Sequence, residues 1–143
     1  MKNISLIVLL LATTYCQSQN QEIKKVIETF FDGFHAKDST KIKSVCDPKI
    51  ILQSISESAK GNILSNESAN QFYKSIASIS ADLNFHEKII DYTIQTDGSM
   101  AHAWTPYEFY INGKLSHKGV NAFTLFKEKE DWKIIYIIDT RRK

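Results

Sequence analysis

Three strand-like runs in the last third of the chain, separated by two short polar turns, restrict the fold more than any other feature of the sequence. Residues 101–111 (AHAWTPYEFYI), 116–126 (SHKGVNAFTLF) and 132–139 (WKIIYIID) are rich in β-branched and aromatic side chains, and the stretches 112–114 (NGK) and 127–131 (KEKED) divide them. An Asn-Gly pair between such runs supplies the positive φ angles of a tight hairpin turn, so the first two runs are predicted to pair antiparallel. Just upstream, residues 85–96 alternate with period two and read as one long strand, and Asp97-Gly98 reads as a further hairpin turn.

The first half of the chain has a different period. In residues 21–36, Ile23, Val26, Ile27, Phe30, Phe31 and Phe34 recur at three- and four-residue steps, with Glu22, Lys24, Lys25, Glu28 and Asp32 on the other side. That pattern predicts an amphipathic helix. Asp38-Ser39 is placed to cap a short second helix through Lys43, which Asp47-Pro48 stops. Residues 49–56 read as a strand, Lys60-Gly61-Asn62 as a turn and Ile63-Leu64 as a short return strand. Ser65 or Asn66 is the expected N-cap of a third helix, with Ala69, Phe72, Tyr73, Ile76 and Ile79 on its apolar face and an end near Ser80. Helices, one small hairpin, another helix and then consecutive antiparallel strands make an α+β order, with the helices packed on one face of a curved, mainly antiparallel sheet.

The N-terminus carries a separate message. Lys2 is followed by an apolar run, residues 4–12, and by small residues at Cys16 and Ser18. A basic start, a short apolar core and small residues before a cleavage point describe a secretory signal peptide over residues 1–18, with the mature domain at 19–143. The chain is accordingly expected to be exported, to the periplasm or the medium, without a membrane span. The alternatives are an N-terminal hydrophobic strand or helix, and a lipid anchor at Cys16, although Tyr15 is bulky for that processing site. Removing 18 of the 143 residues leaves 125, enough for one domain.

The formal charge is +2, and Lys2 is the only charged residue in the expected leader, so the mature domain carries +1. Nucleic-acid binders concentrate basic charge on one face, so no nucleic-acid partner is expected. Cys46 is the one cysteine left after the leader, which excludes an intrachain disulfide in the mature domain. It reads as a small buried hydrophobe. No phosphate loop, dinucleotide fingerprint, zinc-ligand spacing or nucleophile elbow is present, and neither a cofactor nor a metal is expected.

The pleat fixes which side chains share a face. His117, Gly119, Asn121, Phe123 and Leu125 lie together; so do Thr105, Tyr107 and Phe109, opposite Trp104, Glu108 and Tyr110. Asp139 and Arg141 are expected to point with Ile135 and Ile137. Which face is inward stays open, because a bulge can switch it. His117 is the leading candidate for proton transfer near neutral pH, with a hydrogen-bonded structural histidine as the plainer reading. His86 and His102 are weaker candidates. Asp139 ends an apolar strand and is a candidate base, unless Arg141 pairs with it, in which case Arg141 either holds the carboxylate or clamps an anionic ligand. Tyr107 is a candidate hydroxyl donor or a core residue, Asn121 a candidate polariser of a ligand carbonyl, and Trp104 and Trp132 large packing surfaces. Asp91 and Tyr92 fall mid-strand, with one of them turned from solvent.

The amphipathic first helix ending near Asp38, the WTPYEF stretch at 104–109, His117-Lys-Gly119, FTLFK at 123–127 and the final strand from Trp132 to DTRR at 139–142 resemble the nuclear transport factor 2-like superfamily, in particular its small bacterial SnoaL-like group. The resemblance spans the mature chain. It implies a cone-shaped sheet wrapped around the helices, an apolar cavity for an apolar or amphipathic small molecule, with Trp104, Tyr107, Asn121 and Arg141 as candidate ligand contacts, and a homodimer formed through the sheets. The superfamily includes isomerases, dehydratases and cyclases as well as carriers. The two functional expectations are a small-molecule binder and a cofactor-independent acid–base enzyme using His117 and Asp139, with a protein-interaction module as a third.

Overall fold

The computed structural model describes the backbone of residues 2–143 and the side chains of residues 18–143; the expected leader, except for its last residue Ser18, lies outside the described side chains. Helix α1 (Lys2–His35) is followed by α2 (Ser39–Val45), β1 (Cys46–Ser58), β2 (Gly61–Glu67), α3 (Ala69–Ala77), β3 (Phe85–Ile89), β4 (Thr93–Asp97), β5 (Met100–Ile111), β6 (Lys114–Glu128) and β7 (Asp131–Arg141). Among the described residues, no helix is long and apolar enough to cross a membrane.

The seven strands form one sheet in the order β2-β1-β7-β6-β5-β3, with β4 also on β5. All pairs are antiparallel except β1 with β7. The β5–β6 hairpin turns at Asn112 (φ 48°) and Gly113 (φ 75°), the left-handed pair that the Asn-Gly signal predicts. Asp38 caps α2 as expected: its Oδ1 accepts from the amides of Thr40 and Lys41, both at 3.0 Å.

The apolar stripe of α1 lies on the concave face of the sheet. Ile23 and Ile27 are fully buried, and Phe30 and Phe31 meet Phe123 of β6 edge-on at 5.9 and 6.0 Å. Phe72 of α3 stacks on Phe30 at 6.2 Å. Aromatic pairs in these geometries add to their large buried areas. Cys46 is buried in the same core, where desolvation pushes its thiol up to about 12, so it is a packing residue rather than a nucleophile.

The structure corrects four expectations. Residues 85–96 are two strands rather than one. Both pair with β5, and the gap between them faces Pro106. The Pro106 carbonyl accepts from the Ile90 amide at 2.8 Å, but proline has no N–H to return, and the ladder stops until Thr93. Within the gap Asp91 is exposed and Tyr92 is half-buried against the core. Second, β2 runs through Ser65, Asn66 and Glu67, so the N-cap of α3 is Ser68, whose Oγ accepts from the Gln71 amide at 3.2 Å; the helix then ends at Ala77. Third, Pro48 lies inside β1, within the irregular stretch between Cys46 and Ile51 where the register on β7 shifts. Fourth, Ile135 occupies a bulge between the pairs Thr124–Tyr136 and Leu125–Ile134. Asp139 and Arg141 therefore share the inner face with Ile137, while Trp132 and Ile134 reach the core from the other side of the bulge.

Loss of the Asp38 cap leaves two amides of the first turn of α2 unsatisfied. Asp38→Ala is expected to lower stability by about 1 kcal/mol, read as a shift in urea midpoint at unchanged m-value.

Candidate functional site

Where the helices stop covering the sheet, a cavity of about 500 Å³ remains open at the wide end of the cone. One wall is aromatic, made by Phe30, Phe31 and Phe34 of α1, Phe72 of α3, and Phe109 and Phe123 of the sheet. The opposite side is polar, with Gln53 and Ser54 of β1, Asn66 and Glu67 of β2, and Gln71 of α3. The size and mixed lining suit a small organic molecule.

The inner faces of β3, β5, β6 and β7 bring a set of polar side chains to this cavity. Cross-strand register explains the grouping: Glu87 is opposite Phe109, Phe109 opposite His117, and Asn121 opposite Asp139. His117, Tyr107, Asn121, Asp139 and Arg141 all line the cavity. Trp104 does not join them. It is the alternate residue of β5, on the outer face of the sheet, and is 48% exposed. His102 is also on that outer face, and His86 is exposed on the opposite side of β3 from Glu87.

Tyr107 is buried and crosses its neighbouring strand. Its hydroxyl donates to the Thr140 carbonyl at 2.9 Å and also lies 3.4 Å from Asp139 Oδ2. The ring can take this path because Gly119 is beneath it. A Cβ there would fall 2.8 Å from the Tyr107 ring and 1.7 Å from the Thr140 carbonyl oxygen. Burial, followed by the nearby carboxylates of Asp139 and Glu87, raises the phenol well above its ordinary pKa, so it stays protonated. Arg141 donates through Nε to the same Asp139 oxygen at 2.8 Å. Of the two expectations for this pair, the geometry is that of Arg141 holding the carboxylate.

His117 is half-buried, stacked on Phe109 at 4.9 Å and edge-on to Tyr107 at 5.8 Å, with Nδ1 3.2 Å from the Ser116 hydroxyl. Desolvation, then the positive charge of Arg141, lowers its pKa below the ordinary histidine value, so it is a neutral imidazole at pH 7.

The residue missed from the sequence is Glu87. It is 9% exposed, lines the cavity, and accepts a hydrogen bond from Asn121 Nδ2 at 2.6 Å. Desolvation is the largest influence on it, outweighing the Asn121 bond, and lifts its pKa to about 7. Its backbone is fixed from outside the sheet, where the Glu87 amide donates to His35 Nε2 at 3.0 Å. The His35 ring is depressed to about 4 by its own burial and by His86, its neighbour at 4.4 Å, and remains the neutral acceptor this bond needs. A signal for Glu87 was present in the sequence: Phe85, Glu87 and Ile89 share one strand face, and a carboxylate between two apolar residues of the same parity is either exposed with them or buried with them.

No group of three or more histidine, cysteine or carboxylate side chains suited to a metal ion occurs among the described residues. With the site's geometry defined, the class of the protein is a helix-filled α+β cone with a ligand-sized cavity at its mouth. No protein-family model matches the chain, and no curated protein matches it in sequence. Solved structures do match in shape. An NTF2-like protein of unknown function from Shewanella baltica superposes with a TM-score of 0.66, covering 90% of this chain and 97% of that one at 16% identity. An NTF2-like protein from Cytophaga hutchinsonii gives 0.69, with 87% and 98% covered at 12% identity. A candidate dehydratase of the NTF2-like family from Streptomyces avermitilis gives 0.66, with 89% and 98% covered at 12% identity. The chain has the nuclear transport factor 2-like fold; at these identities the likeness concerns the fold alone.

Glu87 is protonated in the folded protein over a range where it is ionised in the unfolded chain. The folded state then binds more protons, so this residue's contribution to stability is full below about pH 4.5 and falls as pH rises through about 7. Glu87→Gln keeps the shape and the Asn121 bond but does not titrate. Relative to wild type, the variant is expected to gain up to about 3 kcal/mol between pH 4 and pH 8 in urea unfolding. A stability difference that is flat with pH contradicts the assignment.

Proposed function

We propose that the chain is an exported NTF2-like protein whose cone binds a small apolar or amphipathic molecule. The observation that carries this reading is the open cavity, with phenylalanine on one wall and a set of polar groups on its floor. Export rests on the leader-like residues 1–18. Binding is tested by native mass spectrometry of protein purified from an exporting host without harsh washing, together with titration by the neutral dye Nile red. The expected result is saturable dye binding that weakens about tenfold in Phe72→Ala, which removes part of the aromatic wall at the mouth. Absence of both a retained mass and dye binding rules the reading out.

A second reading, cofactor-independent acid–base catalysis, is favoured by one feature. Glu87 is a buried carboxyl whose pKa of about 7 suits it to give and take a proton at neutral pH. Neutral His117 is a further proton acceptor on the floor, Asn121 orients Glu87, and Arg141 with Tyr107 holds Asp139. Under this reading Glu87→Gln abolishes turnover of a found substrate, whereas His117→Ala tests the imidazole separately.

We also infer a homodimer formed through the outer face of the sheet. Met100, His102, Trp104 and Pro106 of β5 adjoin Val120, Ala122, Thr124 and Phe126 of β6 there, with no lysine, arginine or carboxylate among them. Met100, Trp104 and Phe126 are exposed by 55%, 48% and 43%, an unusual concentration of apolar surface for a free face. Light scattering should report a dimer for wild type and a folded monomer for Trp104→Glu. A monomeric wild type overturns the pairing.

A further inference from the structure

The charged groups in the cavity lining are three carboxylates, Glu67, Glu87 and Asp139, and one cation, Arg141. Arg141, the one lysine or arginine in the lining, is engaged through Nε with Asp139 at 2.8 Å, and both Arg141 and Tyr107 approach the same oxygen, Oδ2. The Tyr107 proton is directed to the Thr140 carbonyl, and Asn121 Nδ2 donates to Glu87 Oε1. The second oxygens of Glu87 and Asp139 and the exposed carboxylate of Glu67, all in the lining, accept no hydrogen bond among the described residues. Glu87 has no ion-pair partner among the described residues. With Glu87 ionised and His117 neutral, the lining has three negative charges against one positive.

The aromatic wall offers packing area for an apolar body. Six phenylalanine rings line the cavity. An anionic ligand meets the excess of negative charge on the three carboxylates. An apolar ligand with a positively charged end packs on the phenylalanines and meets the carboxylates.

Resting on the reading of the cavity as a binding site, we propose that its ligand is an apolar molecule ending in a protonated amine, with the ammonium seated against Glu87 and the body against the phenylalanines. The ligand then supplies the counter-ion that Glu87 lacks in the chain. Binding to the ionised carboxylate makes the site release a proton wherever Glu87 is protonated beforehand. The other groups around Glu87 are Asp139 and Arg141 on β7, Tyr107 on β5, His117 on β6, Glu67 on β2, and His35 with Asp32 on α1 behind the strand, with His86 next to it in sequence. Tyr107 stays protonated and His35 and His117 stay neutral near pH 7, so Glu87 is the group that responds.

The test is calorimetric titration of the full chain with 4-phenylbutylamine, 4-phenylbutan-1-ol and 4-phenylbutanoate, which share a body and differ in the head group. Titrations in two buffers of different ionisation enthalpy count the protons released. The amine is expected to bind about tenfold more tightly than the alcohol at pH 8, as a charge-assisted hydrogen bond implies. Its affinity should rise about tenfold from pH 6 to pH 8, with up to one proton released per site at the lower end. Glu87→Gln should remove the amine's advantage and its pH dependence while leaving the alcohol bound, which also reports an intact fold. Alcohol or carboxylate binding as tightly as amine overturns the amine assignment and leaves the cavity reading standing. Failure of all three, together with absent Nile red binding, overturns both.

Discussion

The contact on which the rest of the molecule depends is that of Phe30 and Phe31 with Phe123. It fixes the first helix across the concave face of the sheet at one depth and fills the narrow end of the cone. Farther along, the helix carries Phe34 and then stops at His35, while the strands continue. The cavity is the volume left by that mismatch in length. Its walls are rigid because both the helix and the sheet are anchored in the filled part of the core, so a ligand does not have to order them first.

The same arrangement accounts for the chemistry at the floor. A carboxyl can be kept nearly dry only where its neighbours are packed, and Glu87 is on the strand closest to Phe34 and Phe109, with Phe85 stacked against Phe109 at 5.9 Å. Asn121 gives one hydrogen bond, too little to offset desolvation. Asp139, three strands away in the sheet, has Arg141 and Tyr107 and is held in a different way. Two acidic groups in one cavity thus have distinct surroundings because one lies deep beside the helix and the other near the rim beside an arginine. Gly119 makes the difference possible, since Tyr107 reaches Asp139 and Thr140 only across a strand position with no side chain.

Periodicity revealed the hairpins, the first helix and the α+β order, because those depend on local pattern and on Asn-Gly and Asp-Gly chemistry. It also grouped His117 with Asn121 and Tyr107 with Phe109, two sets that the register brings to one cavity. Three things lay beyond it. Pro106 interrupts a ladder on another strand, so the split between β3 and β4 has no sign in residues 85–96 themselves. The bulge at Ile135 arises from pairing with β6 and changes which residues accompany Asp139. The inward face of each strand is decided by what packs on it, and this is why Trp104, a plausible ligand contact by composition, lies on the outside, while Glu87, an ordinary strand glutamate by composition, lies within.

The parallel pairing of β1 with β7 has a consequence for the order in which the molecule can assemble. The last of the seven strands occupies an interior position in the sheet, between an early strand and the one that precedes it in the chain. The β1–β2 hairpin therefore cannot join the body of the sheet until residues 131–141 have been synthesised and have closed a loop of some eighty residues from residue 51, where the pairing with β7 becomes regular. Such non-local closure slows folding. Until β7 is in place the edge of β6 is unpaired and the β1–β2 hairpin has no sheet to join.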